Sequence, residues 1–431
     1  MEIAIVFGVL FLLMLLGLPV ALAMGISALV GLGLIGDWKI ASILTQRMYV
    51  GSTSFVLLAI PFYILTANLM NTSGMTRRIV RFCDLLVGWI PGGLGHVNIL
   101  ASVIFAGMSG SSVADASGLG MVEIEMMTAA GYDKKFSAAV TAASATIGPI
   151  IPPSIPFVVF GGMAGVSVGR LFLGGFLPGL VMALCLMVAV YLVAVRRKYP
   201  RSKYNLSGRE LLKTIIDALL GAGCIVIIMG GILLGIFTPT EAAVVACVYA
   251  LFLGLVVFRD LKWADIPQAL WNTARDTVRV LFIVAVAAAY SHTLTLMHVP
   301  EKVFAAFGQL VSNPVLTLLL INALLLFLGC FMETLSIMLL TVPILMPIVT
   351  RIGMDPVHFG VMMTLNLMIG QLTPPVGIIL YCVSSVAKMP MYELVKELWP
   401  YLLALLVALL LITFAPSITM WLPNLVMGRA M

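Results

Sequence analysis

Apolar residues run along this chain in long stretches with short polar breaks between them. In the first half they occupy 2–18, 19–36, 53–76, 92–130, 136–168 and 171–195; in the second, 218–237, 240–258, 280–299, 304–350, 358–387 and 395–417. A helix needs about 20 predominantly apolar residues to cross a bilayer core. The pattern therefore predicts an all-α polytopic membrane protein. Four stretches (92–130, 136–168, 304–350 and 358–387) are each interrupted inside, and they fall in the same order in both halves.

The halves share more than order. Residues 105–156 and 327–378 carry one pattern at a constant offset with no gap. Phe105, Gly107, Thr128, Gly131, Asp133, Ile147, Gly148, Pro152 and Pro153 match Phe327, Gly329, Thr350, Gly353, Asp355, Ile369, Gly370, Pro374 and Pro375. Most of these are Gly or Pro, which fix where a helix breaks. Pro19 and Pro239 occupy matching breaks, as do Pro178 and Pro400. Helix breaks repeated in both halves of an apolar chain point to a transporter's binding site.

Charge supplies an orientation. Arg77, Arg78 and Arg81, and then Lys134 and Lys135, mark two loops as cytoplasmic. The segment between them must leave and return on one side, with Ser109-Gly110-Ser111-Ser112 at its middle, so 92–130 is expected to be a re-entrant hairpin. The second-half counterparts, His298–Lys302 and Asp355–His358, carry little net positive charge. Arg259, Lys262 and Lys388 fall where the first half's outer loops would be. Inverting the second copy places those three inside. The expected organisation is two inverted-topology repeats, each with about five transmembrane helices and one re-entrant hairpin, and both termini external. The first repeat spans 1–200 (hairpin 92–130, broken helix 136–168). A cytoplasmic linker covers 201–217, and the second repeat spans 218–431 (hairpin 304–350, broken helix 358–387). Residues 2–36 are short for two crossings, so one or two spans remain open there.

Composition agrees: the chain is 62% hydrophobic and 10% charged, against about 25% charged for soluble domains. The net charge of +6 is concentrated in Arg196, Arg197, Lys198, Arg201, Lys203, Arg209 and Lys213. That is the signature of a cytoplasmic connector beside the bilayer rather than a nucleic-acid surface, and no nucleic-acid partner is expected. The cysteines, 83, 185, 224, 247, 330 and 382, have neither zinc nor redox spacing and read as small buried residues. Ala21-Leu22-Ala23 resembles a cleavage site, but no basic region precedes it and the apolar stretch runs on to Gly36, so no signal peptide is expected. There is no Walker motif, nucleophile elbow or HExxH, which argues against an ATP-driven pump or a hydrolase.

The candidate site lies at the repeated breaks. Ser109–Ser112, with Asp115 close behind, either opens backbone groups to a cavity, with a helix N-terminus aimed at an anion, or packs small residues tightly between helices. Gly148–Ser154 and Gly370–Gly377 each contain a double proline that cannot continue a helix. Their freed carbonyls are met either by a hard cation such as sodium or by hydroxyls and water. Glu333, in Met332-Glu333-Thr334-Leu335-Ser336, costs about 2.5–3.5 kcal/mol in a membrane unless paired or functional. It either ligates a cation or braces the second tip, carries a proton, or snorkels. Glu241 reads as a helix-start acid, Glu123 and Glu125 as facing the loop lysines, and Asn68, Asn98, Asn322 and Asn366 as interhelical hydrogen-bond formers. Gln268–Arg279 reads as an amphipathic surface helix.

At FAGMSGSSVADASGLG (105–120), AAGYDKKFSAAVTAASATIGPIIPPS (129–154), FMETLSIMLLTVPILMPI (331–348) and LMIGQLTPPVGIILY (367–381), the chain resembles the large membrane subunit of tripartite ATP-independent periplasmic (TRAP) transporters. The resemblance implies sodium-coupled import of an organic acid (a carboxylate) across the bacterial inner membrane. It implies an elevator motion of a transport domain against a scaffold. It implies two partners, a small four-helix membrane subunit and a periplasmic substrate-binding protein, and no cofactor beyond sodium as the coupling ion. Carried onto this chain, sodium site 1 would use Ser109, Ser111, Gly148, Ile151 and Pro153, and sodium site 2 Glu333, Thr334, Gly370, Thr373 and Pro375, mostly through backbone carbonyls. The substrate vicinity would include Ser112, Asp115, Ser154 and Ser336. A binding-protein-independent dicarboxylate or citrate carrier is the alternative, and a subunit of a redox-driven ion pump a third reading.

Overall fold

A computed structural model describes residues 2–36, 41–201, 208–299, 302 and 313–428, without the side chains of Leu15, Ala41 and Gly208. Lys203 and residues 304–312 of the expected second hairpin lie outside the described residues. The chain is all-helical as described. The helices are α1 (Glu2–Leu15), α2 (Val20–Ile35), α3 (Ala41–Ser52), α4 (Ala59–Thr72), α5 (Met75–Val87), α6 (Gly93–Ser109), α7 (Ser112–Ala114), α8 (Gly120–Ala129), α9 (Lys134–Ser144), α10 (Ile155–Ala164), α11 (Val168–Arg197), α12 (Gly208–Leu233), α13 (Pro239–Phe252) and α14 (Ile266–Leu296). They continue as α15 (Pro314–Gly329), α16 (Thr334–Arg351), α17 (Pro356–Gly370), α18 (Ile378–Val386), α19 (Met391–Phe414) and α20 (Pro416–Met427). Among the described residues, seven helical stretches are long and apolar enough to cross a membrane.

The repeated identities are local instructions to the backbone, and the two copies obey them alike. Thr128 and Thr350 each donate to the carbonyl four residues back, Ile124 O at 2.7 Å and Met346 O at 2.9 Å. Gly131 (φ +86°) and Gly353 (φ +79°) then close the helix in the left-handed region, where a Cβ is strained. Asp133 and Asp355 cap the next helix, accepting from Lys135 N (3.0 Å) and Val357 N (2.7 Å). Both double prolines contain a cis bond, Pro152-Pro153 and Pro374-Pro375. Both end a helix, α9 with its 3-10 turn Ala145–Ile147 and then α17, and α10 and α18 follow.

Three expectations change. Pro178 and Pro400 lie inside the continuous helices α11 and α19 and break neither, since neighbouring groups can re-satisfy freed backbone in a membrane helix. Residues 208–217, expected as linker, are the first turns of α12. The Gln268–Arg279 stretch is continuous with the following apolar run in α14, a single helix of 31 residues. Residues 2–36 form two short helices, α1 and α2, separated at Gly17–Pro19 and packed on each other.

Ion pairs gather the basic loops. Arg78 joins Asp260 at 2.7 Å and Asp217 at 3.7 Å, tying the start of α5 to the segment just before α14 and to α12. Lys135 meets Glu393 at 3.1 Å and Arg197 meets Glu397 at 2.6 Å, while Tyr132 stacks on Tyr199 with ring centroids 4.9 Å apart. Glu123 does not face the lysines: it is buried with both carboxylate oxygens unpartnered. The asparagines bond between helices as expected. Asn68 donates to Thr273 (3.0 Å), Asn98 to Thr141 (2.7 Å) and Asn366 to Asn322 Oδ1 (2.7 Å). Glu241 completes a capping box with Thr238.

Candidate solute and ion site

Two helix-turn-helix tips converge on one cavity of about 630 Å³. The first tip is built by Gly110 (φ +60°), which ends α6, and by extended Ser111, which caps α7 by accepting from Ala114 N at 3.5 Å. A π-helical turn, Asp115–Leu119, follows α7; such turns are frequent at functional sites. The second tip runs from Gly329 to Thr334, where α16 starts. Ser109, Ser111 and Ser112 of the first tip and Glu333 and Thr334 of the second line the cavity together.

Gln371, at the end of α17, holds the tips to each other. Ser112 Oγ donates to Gln371 Oε1 at 3.3 Å, and Gln371 Nε2 donates to Thr334 Oγ1 at 2.8 Å. All three residues are buried, so each end of the amide satisfies a hydroxyl that would otherwise be costly to bury.

The first break sits directly behind the first tip. A Cβ on Gly110 would lie 2.6 Å from the Pro153 carbonyl oxygen, and one on Gly148 would collide with Asp115 Oδ2. Ser109 Oγ donates to Asp115 Oδ1, whose other oxygen is buried and unpartnered. The carbonyls of Gly148, Ile151 and Pro153 accept no hydrogen bond among the described residues. Buried carbonyls are otherwise almost always paired, so these oxygens are available to a cation. The side chain of Ile151 points the other way, toward Gly179 of α11.

The second break is arranged differently. Gly329 and Gly370 pack backbone to backbone, 2.9 Å from an added Cβ on Gly329 to Gly370 Cα. The Cys330 carbonyl accepts from Val376 N (3.3 Å) and Gly377 N (3.2 Å). The Gly370 carbonyl accepts from Thr373 N (2.9 Å), and Thr373 Oγ1 donates to Ile369 O (3.0 Å). Gly370 therefore has one lone pair already engaged, while the Pro375 carbonyl accepts no hydrogen bond among the described residues. Glu333 is the N-cap of α16 but makes no capping hydrogen bond. It does not brace the tip; it faces the cavity. Pro152 and Pro153 are buried, whereas Pro374 and Pro375 are exposed.

Of the residues assigned to the substrate vicinity, Ser112 lines the cavity, while Asp115, Ser154 and Ser336 are buried and do not. Asp115 is turned back onto Ser109. Ser154 is consumed as the cap of α10, donating to Pro149 O at 2.5 Å and accepting from Phe157 N at 3.2 Å. Ser336 lies beyond the first residues of α16, facing the core.

The opposite wall comes from α4 and α14 and supplies what the pattern of the chain did not suggest. Asn68 and Asn71 of α4, and Asp276 and Arg279 of α14, line the cavity. Arg279 pairs with Asp276 at 3.6 Å within α14, and its side chain is 61% exposed, so guanidinium N–H groups beyond that pair are open to a ligand. Its signal in the sequence was a charge immediately before an apolar run, which equally describes a membrane-surface helix. Gln371 carried a clearer signal, a lone amide in LMIGQLTPP at the repeat position of Pro149. No cluster of three His, Cys, Asp or Glu side chains is found among the described residues.

Interrupted helices meeting at a polar cavity inside a multi-span helical protein are the architecture of membrane transport proteins. Comparison with known proteins gives the family. The profile of the tripartite ATP-independent periplasmic transporter, DctM component, matches residues 7–418, and this chain belongs to that family. It is 44% identical over 412 residues, 96% of each chain, to the sialic acid TRAP transporter large permease protein SiaM of Vibrio cholerae. It is 36% identical over 448 residues, 99% of each chain, to the C4-dicarboxylate TRAP transporter large permease protein DctM of the same organism. The crystal structure of the Alcanivorax borkumensis YdaH transporter has a similar fold, with a TM-score of 0.66 at 16% identity over 90% of each chain.

Proposed function

We propose that this permease imports an organic acid across the bacterial inner membrane by sodium-coupled secondary transport. The acid is delivered by a periplasmic binding protein, and a small four-helix subunit works with this permease. The observation that carries the reading is the shared cavity. Two tips with free carbonyls behind them face Arg279, whose ion-pair partner is Asp276 on its own helix, so cation ligands and an anion ligand meet at one place. Arginine presents a planar fork that suits a carboxylate bidentately. Sialic acid and C4-dicarboxylates, the solutes in the names of the two relatives, both carry that group. Sodium site 1 comprises Ser109, Ser111 and the carbonyls of Gly148, Ile151 and Pro153. Sodium site 2 comprises Glu333, Thr334, Thr373 and the carbonyls of Gly370 and Pro375. Arg279 anchors the substrate carboxylate, with Ser112 beside it.

The inverted arrangement supports an elevator. The first hairpin rises from the side where Tyr132 donates to Pro200 O and Leu94 N donates to Tyr132 Oη, among the ion-paired basic loops. The second tip begins at the cavity, and α16 runs on along α14, away from the end of α14 that follows the segment Asp260 ties to Arg78. The tips with α10, α16 and α17 form the transport domain, and α2, α3, α4, α13 and α14 the scaffold.

The test is uptake of labelled N-acetylneuraminate and succinate into proteoliposomes holding the permease, its small subunit and the binding protein. Uptake is expected on an inward sodium gradient and not when potassium replaces sodium. Undiminished uptake without sodium overturns the reading, and uptake without binding protein replaces it with the self-sufficient carrier.

A further inference from the structure

A second cavity, of about 720 Å³, lies further along the same interface. Its walls are continuations of the helices that line the first. On α14 the first cavity takes Asp276–Ile283 and the second begins at Val284 and reaches Thr295; on α16 the first takes Thr334 and Leu335, the second Leu339–Met346. α10 contributes Ile155 and Pro156 to the first and Gly162–Ala164 to the second. The second cavity is also positively charged. Arg47 and His292 line it with Ser54, Ser291 and Thr295, and no carboxylate does.

The place of Arg47 is built. α3 packs on α14 through Gly51, whose added Cβ would lie 2.5 Å from Ala288 Cβ. One helical turn away on the same face of each helix stand Arg47 and His292, which line the cavity together. Arg47 makes no hydrogen bond or ion pair among the described residues. Arg47 is exposed rather than buried, an always-charged fork of donors lining a cavity with no carboxylate, and the imidazole beside it is a further polar group that can donate a hydrogen bond. No acidic side chain lines the cavity beside them, so the pair is set for an anionic oxygen from elsewhere.

We propose that Arg47 and His292 form an outer station for the substrate carboxylate, the counterpart of Arg279 at the inner one. The proposal rests on the transport reading above. Arg279 and His292 are roughly 20 Å apart along α14 at 1.5 Å per residue. A transport domain that carries its tips along this helix therefore exchanges one guanidinium for another, and the substrate's charge is never left unpaired at either end. The ligand class is a carboxylate; a phospholipid headgroup offers similar anionic oxygens.

The experiment uses the complex with its small subunit, Ser291→Cys as reporter, and Cys185 and Cys382 replaced by alanine. Right-side-out vesicles are treated with the impermeant anionic sulfonatoethyl and cationic trimethylammonioethyl methanethiosulfonates. Relative to a free thiol, the anionic reagent is expected to be favoured roughly fivefold, as a local positive potential requires. Arg47→Gln should remove the preference and Arg47→Lys keep it. No preference with Arg47 present, or labelling only in inverted vesicles, overturns the proposal. Suppression of the preference by phosphatidylglycerol in the vesicles assigns Arg47 to lipid and also overturns it. In uptake, Arg47→Gln should raise KM about tenfold with kcat nearly unchanged, the signature of lost ground-state binding; an unchanged KM overturns the outer station. Loss of uptake in Arg279→Gln with Arg47→Gln unaffected leaves the transport reading standing without it. If the unaltered protein takes up neither anion, the transport reading fails, and the labelling alone decides whether the anion site exists.

Discussion

A missing Cβ does different work at two kinds of glycine in this protein. Gly131 and Gly353 have open space around them and need only their positive φ. Gly148 has ordinary α-region dihedrals, φ −47° and ψ −54°, and needs room, because a side chain there meets Asp115 Oδ2. The two kinds should separate experimentally. Gly353→Ala should cost about 1 kcal/mol of stability through the left-handed backbone alone, read as a lower Tm with sodium activation unchanged. Gly148→Ala should push Asp115 away from Ser109 and displace a proposed sodium ligand, so the sodium concentration for half-maximal uptake should rise about tenfold, or 1.4 kcal/mol. Equal sodium dependence in Gly148→Ala and the unaltered protein would remove Gly148 from the site. The sequence marks both glycines identically, as members of the repeat; only packing distinguishes them.

Among the helices, what could be read from the chain was whatever the backbone enforces locally. Thr128–Gly131–Asp133 and its copy close one helix and cap the next, and double prolines stop α9 and α17, so breaks and tips fell where the repeat put them. What depends on a distant partner was not readable. Asp115, Ser154 and Ser336 look like cavity residues in one dimension, yet a hydroxyl, a cap and the core claim them. Arg279 looked like a surface charge because nothing local reveals that α4 and the tips stand opposite it. Gln371 belongs to this scale because it joins two hairpins from different halves. Gln371→Ala leaves the Thr334 hydroxyl without its donor and Ser112 without its acceptor, at about 1–3 kcal/mol for each buried group left unmade. Both tips loosen together, so the sodium requirement and the substrate KM should rise together in uptake assays. A rise in one with the other fixed would mean that the tips act independently. The two breaks also differ: the first is buried and its carbonyls are open, while the second is exposed and partly self-bonded. The two proposed sodium sites should accordingly differ in affinity.

For the whole molecule, the decisive question is whether the helices that carry the tips move as a body against α14. In the present arrangement α14 touches α16, and Ile283 and Leu335 line the cavity from opposite sides. The side proposed as scaffold is tied internally, by Asn68 to Thr273 and by Arg78 to Asp260. The other side is tied through Gln371 and through the Gly329–Gly370 contact. Between them lie mainly apolar contacts and two cavities, an interface with little polar specificity to resist sliding. Cysteines at Ile283 and Leu335, with Cys185 and Cys382 removed, should be joined by a short thiol-specific bifunctional reagent in this state. The joined protein should lose uptake while still responding to sodium with a change in tip accessibility, because the proposed sodium sites lie wholly within the side proposed to move. Reductive release of a cleavable linker should restore uptake. A rigid protein that opens and closes only its tips would behave oppositely, transporting with the linker in place. Joining cysteines at Gly25 of α2 and Val286 of α14, which touch each other and line neither cavity, should leave uptake intact and serves as the control that separates arrest of motion from damage to the fold.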